Sequence, residues 1–398
     1  MMAVNPFVWG RPLDDVSKIV GMDGFAREVA LILKGQTNVA IFGPRDTGKT
    51  TFTTQLTHEL ARDHGRDAPP YTVVRVNLQR AFSIPAFTAC VHDALQAHPE
   101  AAIRREARRQ LSRLEKEIGF DIKVVKGSVR RTGVTAEQDT EALHAQLSSL
   151  RHVSDHLVVI FDEFQILRRC PDNPLSIIRS ALMGPGAGNV SLVLTGSLRA
   201  ALQMMLESSN EPIFGEAAQK QLPEISHADF FEFLEFNFEA TGRPAGEEAL
   251  DHLLNLTRRH PKRTQQLAWA VWNAARPSKG SVGIDTVDAA YHEMVSGTDA
   301  LEFESIVQTL TSGDDAQANE ARALFLLADR GGLKPTSRQN VALYGFTNAS
   351  LVVPALQRLE RRALAQRRAG GDWELVDPIF EGWLKRHSPL ALQPSDLE

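Results

Sequence analysis

The sequence predicts an α/β fold with a parallel sheet, followed by a helical segment and a small C-terminal module of three helices and a hairpin. Three observations predict it. Short continuous apolar runs, Val39 to Phe42, Leu157 to Phe161 and Ser191 to Leu194, are what parallel strands covered on both faces require. Residues 226 to 275 carry helical periodicity without a strand signal. Near the end, three helical patterns precede two short runs separated by Gly370-Gly371.

The totals set outer limits. The 398 residues are 43% hydrophobic and 23% charged, an ordinary globular composition with room for two or three domains. A net charge of -5 excludes a globally basic nucleic-acid coat but leaves room for a local basic module. Cys90 and Cys170 form no C-x-x-C pair, and the 12 His show no ligand spacing, so neither a disulfide framework nor a zinc site is indicated. No apolar stretch is long enough to span a bilayer and the N-terminus has no signal-peptide core, so no membrane association and a cytoplasmic location are expected.

The elements follow in order. Asn5-Pro6-Phe7 and Trp9-Gly10-Arg11-Pro12 read as an extended lead-in, and Asp23 as the cap of a helix carrying Phe25, Val29, Ile32 and Leu33. The apolar run Val39 to Phe42 leads into Gly43-Pro44-Arg45-Asp46-Thr47-Gly48-Lys49-Thr50, which fits G-x-x-x-x-G-K-[ST]. Thr51 follows, and Phe52, Leu56 and Leu60 then fall on one helical face. Strand, loop and helix in that order form a phosphate-binding P-loop. Its glycines let the backbone turn so that N–H groups face phosphate oxygens, and the helix start adds a positive dipole end. Lys49 is placed to reach the β- and γ-phosphates, and Thr50 to ligate Mg²⁺.

Tyr71 to Asn77 reads as a second strand, residues 84 to 97 as a helix and Glu100 to Glu117 as a charged helix. Asp121 to Arg131 alternates like a hairpin and Thr135 to Leu150 is helical, so residues 100 to 135 read as an insertion. Leu157 to Phe161 ends in Asp162-Glu163. Downstream of a P-loop, a buried strand with two acids is the second half of an ATPase site: Asp162 holds Mg²⁺ directly or through water, and Glu163 polarises the attacking water. Ser191 to Leu194 ends in Thr195-Gly196-Ser197, whose side chains either sense the γ-phosphate or position the water, or else only cap the helix beginning near Leu198. Gln221 to Pro223 reads as a last short strand.

The domain limits expected are 1–225 for the P-loop core, 226–276 for a helical lid, 277–317 for a helical connector and 318–398 for a winged helix. Within the lid lies the basic run Arg258-Arg259-His260-Pro261-Lys262-Arg263, a candidate for contact with nucleotide phosphate. In the last module Glu320 to Asp329, Thr336 to Leu343 and Asn348 to Arg361 are the helices, and Ala365 to Arg368 with Trp373 to Val376 the hairpin. Its third helix and wing carry Arg358, Arg361, Arg362, Arg367 and Arg368, so duplex DNA through residues 336–376 is one partner and a protein surface the other.

NPFVWGRP near the start, GPRDTGKT, VVIFDEFQ, LVLTGS, the helical lid and the winged helix ending DPIFEGWLKRH together resemble the archaeal-type ATPases. These are AAA-like and STAND-like P-loop ATPases, related to origin-recognition ATPases, and the resemblance covers nearly the whole chain. It implies ATP and Mg²⁺ binding, slow hydrolysis, and nucleotide-dependent assembly or switching. The target is left open between DNA, a homo-oligomer and a signalling or defence partner. Lys49 and Thr50 match the family's phosphate loop, Asp162 and Glu163 its acidic motif, and Thr195 its sensor position. Where the family's lid carries Gly-x-Pro, this chain has Arg259-His260-Pro261, with Arg in the glycine position. Arg179 and Arg199 are the candidates for an arginine acting in trans.

Overall fold

The computed structural model describes residues 4–62, 71–105, 108–109, 112, 124–125, 128–129, 135–184, 189–197, 199–275, 281–297, 299–332, 334–368 and 370–388. The expected break at Pro277-Ser278-Lys279-Gly280 and most of the expected insertion lie outside them. The chain divides into two units: Asp14–Gly43 with Lys49–Pro223, and Met1–Leu13 with Pro44–Gly48 and Glu224–Glu398.

In the first unit helix α1 (Asp23–Lys34) precedes strand β1 (Val39–Phe42), helix α2 (Lys49–Ala61), strand β2 (Thr72–Asn77) and helix α3 (Ile84–Gln96). Asp23 does not cap α1; Met22 holds the cap position, and the Asp23 carboxylate accepts from Gln55 Nε2 on α2 at 2.5 Å. Ser83 caps α3 by accepting from the Ala86 N–H. Two two-residue strands, β3 (Val124–Val125) and β4 (Ser128–Val129), pair antiparallel, where the alternation pointed to a hairpin. Thr135 and Gln138 form a capping box at the start of helix α4 (Ala136–Ser149). Strand β5 (Leu157–Asp162), helix α5 (Pro174–Ile178), strand β6 (Val190–Gly196), helix α6 (Arg199–Glu207) and strand β7 (Ala218–Gln221) complete the unit.

The sheet order is β2-β5-β6-β1-β7, parallel throughout. The fifth strand lies at Ala218–Gln221 rather than at the expected Gln221 to Pro223; its alternating half-buried pattern carries no apolar run to read. The central strands do. Every residue of β6 and all of β5 but Asp162 are buried, so their backbone groups must pair with neighbouring strands. Phe161, fully buried, packs edge-on against Phe87 at 5.9 Å between centroids. Burial of one such side chain stabilises by roughly 1.5–3 kcal/mol, and its truncation to Ala costs about 3–5 kcal/mol. In register, Phe42 lies opposite Gly196 and Phe161 opposite Leu194, so the C-terminal ends of β5, β6 and β1 stand side by side.

The second unit is helical apart from one hairpin. Helix α7 (His227–Ala240), capped by Ser226, is followed by α8 (Glu247–Thr257), α9 (Pro261–Ala274), α10 (Ile284–Ser296) and α11 (Ala300–Thr311). The lead-in is a strap on this unit: the Val8 N–H donates to Gln265 Oε1 at 3.2 Å, and Phe7 packs on Phe238 with centroids 5.0 Å apart. Helix α12 (Asp315–Arg330) starts earlier than the apolar pattern at Glu320, because Asp314 and Gln317 form a capping box. Helix α13 (Arg338–Leu343), helix α14 (Val352–Arg361), the antiparallel pair β8 (Ala365–Arg367) and β9 (Trp373–Leu375), and helix α15 (Pro378–His387) follow. Val352, Ala355, Leu356 and Leu359 form the buried stripe of α14 at helical spacing. After α12 the chain turns at Gly332, whose φ is +74° and where a side chain would overlap the Trp373 carbonyl oxygen. Three helices, α12 to α14, thus precede the hairpin β8-β9, in the order expected for the C-terminal module.

Candidate nucleotide site

The loop between β1 and α2 is shaped by two left-handed residues, Asp46 at φ 60° and Gly48 at φ 94°. Lys49 is the first residue of α2, and its side chain turns back so that Nζ donates to the Gly43 carbonyl at 2.8 Å. The residue is only 6% exposed. A buried ammonium and a helix N-terminus beside a turned backbone form an anion cradle. At the loop tip Thr47 Oγ1 donates to the Pro44 carbonyl, and Asp46 accepts from Lys262 Nζ at 2.8 Å.

The acids come next. Asp162 ends β5, one strand removed from β1, and is reached from both sides. Thr50 Oγ1 donates to its Oδ2 at 3.0 Å, and Thr195 Oγ1, at the end of β6, donates to its Oδ1 at 2.5 Å. Two cis ligands of an octahedral Mg²⁺ at about 2.1 Å stand about 3.0 Å apart, so the Thr50 and Asp162 oxygens fit that ion. Their hard oxygen chemistry fits it as well.

Glu163 sits in the left-handed region at φ 59° and ψ 41°. Along a regular strand two consecutive acids would face opposite sides of the sheet. The left-handed turn breaks that alternation, and both acids are met by hydroxyls two residues apart, Thr195 near the end of β6 and Ser197 just after it. Ser197 Oγ donates to Glu163 Oε2 at 3.0 Å, just as Thr195 donates to Asp162. Gln165 Nε2 donates to the same Glu163 oxygen and also lies 3.1 Å from Ser197 Oγ. Ser197 was one of two hydroxyls in the LVLTGS run with a capping alternative; both point to acids. Gln165, within FDEFQ, carried no signal of its own, since its place depends on the turn at Glu163.

Other expected residues are placed elsewhere. Arg179 pairs with Glu216 at 3.1 Å on an exposed surface. Arg199 opens α6, and its side chain lies outside the described residues. In the basic run the glycine-like backbone persists without the glycine: Arg258 and Arg259 have φ 47° and 57°, a conformation that costs a side-chain-bearing residue about 1–2 kcal/mol. Arg258 donates to the Leu375 carbonyl at 2.8 Å and pairs with Glu381 at 2.9 Å, while Arg263 is buried between Asp299 and Asp377. Lys262 is the member of the run that reaches the phosphate loop, through Asp46. In the C-terminal module Arg358 and Arg362 both donate to Glu320, at 2.8 and 2.6 Å, and Glu320 is 1% exposed. Arg368 donates to Glu374 at 2.7 Å and Arg367 lies over the Trp373 ring; both are exposed, as are Arg361 and Arg362.

The sheet order, the loop after β1 and the paired acids at the end of β5 are those of a P-loop fold. No protein-family model matches the chain, and no curated protein sequence matches it. Among solved structures it is similar to the Walker-type ATPase PABY2304 of Pyrococcus abyssi, with a TM-score of 0.63 and 15% identity over 94% of this chain and 99% of that one. It is also similar to the ORC2 protein of Aeropyrum pernix, described in ADPNP and ADP complexes, with a TM-score of 0.55 and 16% identity over 94% and 97%. At these identities the likeness establishes the fold. No described helix is long and apolar enough to cross a membrane.

Proposed function

We propose that the protein binds ATP with Mg²⁺ at the loop Gly43 to Thr51 and hydrolyses it, acting as a nucleotide-dependent switch or assembly ATPase. The observation that carries the reading is the convergence of Thr50 and Thr195 on the two oxygens of Asp162, from positions far apart in sequence. Residues 1–225 are then the ATPase core, 226–276 the lid, 277–317 the connector and 318–398 the winged helix. Lys49 exchanges the Gly43 carbonyl for phosphate oxygens, and the backbone amides of the loop hold the rest of the polyphosphate. Thr50 and Asp162 hold the Mg²⁺, which when bound supplies charge neutralisation at the transferring phosphoryl group. Thr195 orients Asp162, and Glu163 takes the proton of the attacking water. Structures described with ADPNP and ADP support the nucleotide, since this chain shares their fold. The test is equilibrium binding and steady-state turnover of ATP: Lys49→Ala loses binding and Glu163→Gln loses turnover. Wild-type affinity in the first or wild-type rate in the second removes the assignment.

The winged helix is the output module, and duplex DNA its first candidate partner, met by Arg361 and the wing. The pairing of Arg358 and Arg362 with the buried Glu320 favours a second reading. With those charges committed internally, the module has less cationic surface for phosphates, which suits a signalling or defence adaptor that grips a protein partner. Solution mass with and without ATP, Mg²⁺ and a generic duplex separates the two. Growth with ATP supports assembly, a nucleotide-gated shift with duplex supports DNA, and indifference to both supports a protein partner.

A further inference from the structure

Resting on the assignment of Glu163 as the base, we propose that Gln165 and Ser197 are positioning residues that pin Glu163 by one carboxylate oxygen and leave the other to accept the proton of water. The triangle is complete in its hydrogens. Gln165 Nε2 has two, one for Glu163 Oε2 and one for Ser197 Oγ; Ser197 has one, donated to Glu163 Oε2. Among the described residues Glu163 Oε1 accepts no hydrogen bond, so the carboxylate is gripped at Oε2 alone.

Three features argue that this grip is built. Gln165 and Ser197 are each 7% exposed, so both act where water does not compete for their hydrogen bonds. The Gln165 amide has one workable orientation, because turning it over would aim its oxygen at the carboxylate. In that orientation Oε1 is buried without a partner among the described residues, so the amide is held by its Nε2 end. Finally, Gly196 makes room for it: a Cβ there would stand 2.6 Å from Gln165 Oε1. The Glu163 side chain has several rotatable bonds and hence several rotamers, and two donors to one oxygen select one of them.

The test is single-turnover ATP cleavage by the full chain with enzyme in excess, so that slow variants are still measured, together with the affinity for a non-hydrolysable ATP analogue. Gln165→Ala lowers the cleavage rate about ten-fold, the size of one lost charge-assisted hydrogen bond, while analogue affinity stays at the wild-type value. Ser197→Ala loses several-fold, and Ser197→Thr, which keeps the hydroxyl, retains most of the rate. In a Glu163→Gln background Gln165→Ala adds no further loss, because its effect passes through the carboxylate. An equal ten-fold loss in that background, or a wild-type or raised rate in Gln165→Ala alone, overturns the proposal and leaves the base assignment standing. A wild-type rate in Glu163→Gln alone instead removes the base assignment, and the positioning role with it. Circular dichroism checks folding, and if Gln165→Ala does not fold the Ser197 variants carry the same comparison.

Discussion

Arg263 and Asp377 form a two-point ion pair inside the C-terminal unit, with Arg263 Nε 3.0 and 2.9 Å from the two carboxylate oxygens. The guanidinium, 5% exposed, also pairs with Asp299. The pair joins α9 to the N-cap of α15, since Asp377 caps α15 through the Ile379 and Phe380 N–H groups. Arg263 is thereby committed to holding this unit together, and it is Lys262 that turns toward the phosphate loop.

Removing one partner of this network leaves buried charge without compensation. Arg263→Ala is therefore expected to destabilise the C-terminal unit by about 3–5 kcal/mol. Arg263→Met, which fills the volume while Asp377→Asn and Asp299→Asn remove the charges, recovers much of that loss. Urea unfolding followed by Trp fluorescence measures both, as Trp373 and Trp383 are buried in this unit.

His260 gives the unit an acid sensitivity. Burial pushes its imidazole down from 6.5 to about 4, and its Nδ1 accepts from the Arg263 N–H as the N-cap of α9. The unfolded chain therefore binds the proton first. Stability is complete above about pH 6.5, falls as pH drops through the window, and has lost on the order of 3 kcal/mol by about pH 4. Asp377 works in the same direction at lower pH. Burial alone would raise its carboxyl, but the charge and hydrogen bonds of Arg263 outweigh this and hold it below its ordinary value. His260→Asn, which keeps a capping acceptor without a titrating ring, should flatten the slope of unfolding free energy between pH 4 and 6.5. A slope unchanged in that variant would assign the sensitivity elsewhere.

Thr195 is fully buried and its hydroxyl serves Asp162. Thr195→Val keeps the volume and removes the donor. Loss of a hydrogen bond to a charged group costs about 1.5–3 kcal/mol, so Mg²⁺-dependent turnover is expected to fall roughly ten-fold or more. Titrating Mg²⁺ in the turnover assay checks the cause, because a misoriented Asp162 shifts the half-saturating concentration upward.

Arg361 and Arg362 are neighbours with different work. Arg361→Ala should weaken binding to a generic duplex and reduce the slope of log affinity against log salt by about one, without changing the melting temperature. Arg362→Ala should lower the melting temperature, because the buried Glu320 keeps only Arg358. Duplex binding that ignores both changes would favour a protein partner.

The parts legible in the chain are those whose physics is local. The apolar runs of β1, β5 and β6 announce buried strands because nothing else satisfies so many adjacent apolar side chains at once. The spacing of Gly43, Gly48, Lys49 and Thr50 announces its loop because the turn, the cradle and the helix start are contiguous. The faint strand β7 was displaced by three residues because its Ala218–Gln221 sequence alternates no apolar groups. The arginines of α14 read as a free basic face because sequence spacing cannot see Glu320, which lies 42 residues before Arg362.

By itself, then, the sequence determined the turn between β1 and α2, the paired acids at a buried strand end and the order of most helices and strands. Each is written in residues close along the chain, where sterics and apolar periodicity act directly. Only the tertiary structure decided which side chains serve those acids. Thr50 meets Asp162 across 112 residues and Ser197 meets Glu163 across 34, through a strand order and register that the apolar runs do not encode. The left-handed backbone at Glu163 then turns both acids to the same strand end, a local conformation that the surrounding packing imposes on a residue that does not prefer it.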